Sequence, residues 1–106
     1  MTTFDKREEG FEKKFALDEE LRFKAAARRN KLLGLWVAER LGISGDAASA
    51  YARDVVTADF EAGGDGVVRK VAGDLDAKSI LVTETQLRSK MDELMAQAVM
   101  QVKAGK

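Results

Sequence analysis

Asp74 and Asp76 are the nearest this 106-residue chain comes to a catalytic pair. Two positions apart on a helix, they do not face each other, which makes a poor acid/base or metal site, and they read as solvated. A GGDG stretch at residues 63–66 has the glycine content of a phosphate cradle, but no lysine and hydroxyl follow in P-loop order. Helix termination is the simpler account of it. With no histidine and no cysteine in the chain, disulfides, thiol nucleophiles, iron–sulfur clusters and most catalytic or metal constellations are excluded. The expectation is a protein that is not an enzyme and carries no metal.

Charge points away from two other broad classes. The 18 basic and 18 acidic side chains cancel, which argues against a general nucleic-acid or membrane-surface binder. Locally, Arg22, Lys24, Arg28, Arg29 and Lys31 place five bases and no acid in ten residues, with Phe23 among them, a composition that can grip nucleic acid. Residues 42–66 hold Asp46, Asp54, Asp59, Glu61 and Asp65 against the single base Arg53. Basic and acidic helices facing each other explain both segments, and no nucleic acid partner is expected. No apolar run approaches the roughly 18 residues of a membrane span, and MTTFDKREEG lacks a signal peptide's apolar stretch. A cytoplasmic protein of one domain, monomeric when free and not inserted in a membrane, is the expectation.

The elements that must position any working surface are helical, because the chain has no proline and its glycines fall between periodic stretches. A first helix is expected from about Leu17 to Leu41, about 36 Å long, and Gly42 stops it. Leu17, Leu21, Ala25, Leu32 and Trp36 share an arc of about 100°, which Leu33, Val37 and Leu41 widen, so that this helix is central. A second is expected over about Asp46 to Ala62, capped by Ser44 or Asp46, with Ala48, Tyr51, Ala52, Val55, Val56 and Phe60 inward. A short third helix follows GGDG to about Lys78, capped by Asp65, with Val67, Val68, Val71, Ala72 and Leu75 as its stripe. The fourth opens on a T-x-x-Q capping box at Thr83 and Gln86 with a Val82–Leu87 staple. Leu87, Met91, Leu94, Met95, Ala98 and Val102 then run to fraying near Gly105. The fold class is all-α, a compact four-helix bundle over 17–106. Trp36, Tyr51 and Phe60 read as core aromatics, with Tyr51 in need of a partner for its hydroxyl.

Residues 1–16 stand apart. Eight of the ten residues from Asp5 to Lys14 are charged, yet Phe4, Phe11 and Phe15 fall at i, i+7 and i+11, within about 40° on a helix. That stripe lies roughly 90° from the one begun by Leu17 and Leu21, so two stripes imply two partners. Burying three phenylalanines contributes about 5–9 kcal/mol, while ordering some fifteen residues costs about 1–2 kcal/mol each. Gly10 lowers helicity further. The expectation is a mobile arm that becomes helical only when a partner covers its stripe.

The stretches FDKREEGFEKKFA at 4–16 and DEELRFKAAARRNKLLGLW at 18–36 resemble the zeta subunit of α-proteobacterial F-type ATP synthases. The resemblance implies a small four-helix protein that inhibits ATP hydrolysis without being a catalyst. In that family the arm is the inhibitory element, entering between an α and a β subunit of the catalytic head near the γ stalk. Carried over position by position, it implies Phe4, Asp5, Arg7, Glu8, Gly10, Phe11, Glu12, Lys14 and Phe15 as the contact set, phenylalanines anchoring and charges setting register. No resident cofactor is implied; a weak regulatory adenine-nucleotide site beside basic side chains is compatible with it. The reading from residues alone leaves a second class open, a helical adaptor that docks through its bundle surface.

Overall fold

In the computed structural model, residues 19–105 are described. They form three helices, α1 (Glu19–Leu41), α2 (Gly45–Ala77) and α3 (Glu84–Lys103). Leu17 and the whole arm 1–16 lie outside the described residues.

Both interhelical turns end in the same hydrogen-bond pattern. After α1, the Ile43 amide donates to Ala38 O at 2.8 Å and the Gly42 amide to Glu39 O at 3.2 Å, with Gly42 at φ 77°. This left-handed cap satisfies carbonyls that the helix leaves open. After α2, the Ile80 amide reaches Leu75 O and the Ser79 amide reaches Asp76 O, both at 2.9 Å, with Ser79 in the left-handed region at φ 59°. The α3 start is as the sequence predicts. The Gln86 amide donates to Thr83 Oγ1 at 3.1 Å and the Thr83 amide to Gln86 Oε1 at 2.8 Å. Ser44 occupies the α2 cap position but accepts no capping bond through its side chain.

The count of four helices is corrected to three, and the reason is Gly63. At φ 74° and ψ −171° it is the one residue of α2 outside helical geometry, in a region open only to glycine. Helix resumes at once through Gly64, Asp65 and Gly66, so GGDG joins two helical halves across a kink with no loop between them. The bend is a reversal. Tyr51 and Asp74 would lie about 35 Å apart on a straight helix, yet the Tyr51 hydroxyl donates to Asp74 Oδ2 at 2.6 Å. A Cβ on Gly66 would meet the Ala62 Cβ at 2.4 Å, so the returning half needs a glycine there too. Asp65 caps nothing: its carboxylate accepts from Arg88 at 2.9 Å.

α1 is central, packing against both α2 and α3, which meet each other far less. The core joins Leu33 and Val37 of α1, Val55, Val67, Val68, Val71 and Leu75 from both halves of α2, and Leu87, Met91 and Leu94 of α3. Gly34 lets α1 and α2 approach closely, since a Cβ there would stand 2.5 Å from the Ala52 Cα. Val82 packs against the core that includes buried Leu87, as the expected staple requires. None of the described helices is long and apolar enough to cross a membrane.

Candidate functional site

The nine residues expected to make the inhibitory contacts, from Phe4 to Phe15, all lie outside the described residues. The described surface nearest to them in the chain is the first turn of α1, and it opens onto a cleft system that Leu21 and Phe23 help to line. Phe23, one turn past Glu19, is 65% exposed, and Phe60, near the end of the first half of α2, is 78% exposed. The inward position expected for Phe60 is therefore corrected. Val55 at the preceding turn takes the core, and Phe60 shares a cleft with Phe23, Ala26, Ala27 and Asn30 of α1.

Phe23 and Phe60 border a cleft of about 280 Å³ floored by Ala26, Ala27 and Val56. Through Phe23, Ala27 and Val56 it runs into a groove of about 790 Å³ edged by Lys24, Arg28, Lys31 and Arg53 and reaching Val102 of α3. None of the described residues that line this groove is a carboxylate. The nearby acid in the cleft, Asp59, is taken. Its Oδ2 accepts from Asn30 Nδ2 at 2.7 Å and stands 3.8 Å from Arg29. The expected pairing of basic and acidic segments is thus met at Arg29–Asp59, while Arg28 turns to Gln101 of α3 at 2.9 Å.

Asn30 is the polar residue that sequence reasoning missed. It is buried, accepts from Arg29 Nε at 3.0 Å and links the basic turn of α1 to Asp59. Its place within about 60° of Leu33 and about 20° of Val37 around α1, both buried, is the signal that a closer reading of the periodicity would have found.

At the other end of α1 the aromatic rings are enclosed. Trp36 is half-buried, with the Arg40 guanidinium 4.2 Å and the Lys90 ammonium 5.4 Å from its ring centres, an attraction between cation and π-face. Tyr51 sits beneath Lys70 at 5.0 Å. Its own burial and then its bond to Asp74 push its phenol far above the ordinary value. Asp74, expected to be solvated, is thus a hydrogen-bond acceptor for Tyr51 and for Lys70 at 3.2 Å. On the surface, the Arg88 hydrogen bond holds the Asp65 carboxyl below its usual range. Among the described residues no cluster of three acidic side chains gathers that could hold a metal ion.

Among the described residues, Phe23 and Phe60 present exposed apolar rings edged by cations, an arrangement suited to protein contact. A family model described as ATPase inhibitor subunit zeta matches residues 1–101. A structure solved by solution NMR is 55% identical, covers 81% of this chain and 99% of its own, and superposes with a TM-score of 0.70. No curated protein sequence matches the chain.

Proposed function

The chain belongs to the ATPase inhibitor subunit zeta family, and on that premise we propose that it blocks ATP hydrolysis by an F-type ATP synthase through its N-terminal arm. The observation that carries this reading is the extent of the family match, which begins at residue 1 and so takes in the arm as well as the helices.

The mechanism follows from the composition of the arm. Its three phenylalanines supply apolar anchors, but the segment is too charged to support a core by itself. Its binding free energy is therefore realised only where a partner buries Phe4, Phe11 and Phe15 together. Affinity then depends on the partner's conformation. A rotary head presents its α/β interfaces in a succession of shapes, and an arm that folds into one of them, against the γ stalk, blocks the next hydrolytic step. Asp5, Arg7, Glu8, Glu12 and Lys14 set its register, and Gly10 lets it bend or approach closely. Rotation in the synthetic direction opens the interface and releases the arm. The protein meets the inner membrane only through the synthase, and it acts without a resident cofactor.

The test is ATP hydrolysis by the cognate catalytic head, titrated with full-length protein and with a version lacking residues 1–16 whose helicity is checked by circular dichroism. Inhibition by the first alone is the expected result. Equal inhibition by both would remove the arm from the mechanism. In coupled vesicles, synthesis should continue at protein concentrations that stop hydrolysis, and equal slowing of the two would refute the directional part.

A further inference from the structure

Resting on the reading that the arm engages the catalytic head, we propose that the Phe23–Phe60 cleft and its basic groove form a second contact with that head. Its occupant is an acidic segment with an apolar ridge.

Three observations select this occupant. First, two large rings stand mostly in solvent, 65% and 78% exposed, on either side of an apolar floor. Exposed aromatic pairs around a pocket are what interface anchors look like. Second, the groove that continues the cleft is edged by Lys24, Arg28, Lys31 and Arg53, Arg28 being bonded to Gln101, and none of its described lining residues is a carboxylate. Lys24 meets Glu20 at 3.6 Å, but that pair is exposed and worth little. A positive edge recruits an acidic partner and repels a second copy of this same face. The chain's own arm has no such preference, since Asp5, Glu8, Glu9 and Glu12 are balanced by Lys6, Arg7, Lys13 and Lys14.

Third, the cleft lies where the arm must enter the fold. Phe23 is four residues past Glu19, the start of α1, a rise of about 6 Å. A head that holds the arm therefore has the cleft beside it, and the short tether makes the second contact effectively intramolecular. The arm supplies the brake and the cleft supplies dwell time.

The full-length chain carrying Phe23→Ser and Phe60→Ser tests this. Dye-labelled protein is titrated with the cognate head, binding is read by anisotropy, and inhibition of hydrolysis is measured in parallel. The double variant is expected to bind about tenfold more weakly or worse, to need correspondingly more protein for half-inhibition, and still to inhibit fully at saturation. Arg53→Glu, on the groove edge, should slow association at low salt. Binding by the double variant equal to the parent's overturns the proposal and leaves the arm untouched. Phe11→Ser with Phe15→Ser is the companion variant: if it inhibits like the parent, the arm reading fails instead. Light scattering that shows a dimer lost in the Phe23→Ser, Phe60→Ser variant would assign the cleft to a second copy. Arm amide signals of the free chain that shift in that variant would assign it to the arm. Either result also overturns the proposal.

Discussion

Trp36 and Tyr51 lie at one end of the α1 surface, Phe23 and Phe60 at the other, and the two pairs are treated in opposite ways. The first pair is packed against the shared core and fenced by Arg40, Lys90 and Lys70. The second lines a cleft whose described walls come from α1 and α2. The difference lies in what comes back to cover the rings. The reversal at Gly63 returns Val67, Val71 and Leu75 to the end of α1 that holds Leu33 and Val37, and α3 adds Leu87 and Met91 there. An apolar position is buried only where a further element closes over it. The side left open is the one that adjoins the arm.

Core truncation should break the closed side most. Leu87→Ala removes a fully buried side chain that also completes the staple at the start of α3, and is expected to cost about 2–5 kcal/mol in urea unfolding. No truncation on the open side should match that loss, and this is the sharpest form of the contrast. Next comes the turn that creates the difference. Gly63→Ala forces a side chain into backbone geometry at φ 74° and ψ −171°, with an expected loss of about 1–3 kcal/mol. If thermal unfolding showed no loss, the reversal would not depend on this glycine.

Tyr51→Phe removes the bond to Asp74, which keeps Lys70 as a partner, so the expected cost is smaller, about 0.5–1.5 kcal/mol. The same bond has a pH signature. Burial and Asp74 raise the phenol's folded-state pKa above its ordinary value, so the stability it contributes is complete below about pH 10 and is lost as pH rises beyond that. Because the chain has one tyrosine, tyrosinate absorbance should appear together with alkaline unfolding and not before it. The Tyr51→Phe variant should lose this part of the alkaline sensitivity. Smallest of all, Phe23→Ser with Phe60→Ser should change unfolding stability by no more than about 0.5 kcal/mol per site. A large loss would mean that the open side belongs to the core.

Local signals made much of the fold legible. The stop at Gly42, the Thr83–Gln86 capping box, the stripe from Leu87 to Ala98 and the central role of α1 all depend on residues within about one or two turns of each other, or on the width of one helix's apolar arc. Periodicity and capping chemistry record such relations directly. The arm was legible only as composition, a phenylalanine stripe in a charged segment, together with its family resemblance. Its expected contacts from Phe4 to Phe15 rest on those two grounds.

What the sequence by itself determined, then, is the helical class, the helix ends marked by caps and glycines, the inner faces of α1 and α3, and membership of a family through residues 1–101. Only the tertiary structure decided that the chain reverses at Gly63 with no loop between the two halves of α2, that Asp74 serves Tyr51 across 23 positions, that buried Asn30 binds Asp59 across 29, and that Phe60 faces outward beside Phe23. The physical reason is the same in each case. These outcomes depend on which distant segment arrives to cover or pair a group, and the groups on a single helix carry no record of what will pack against them.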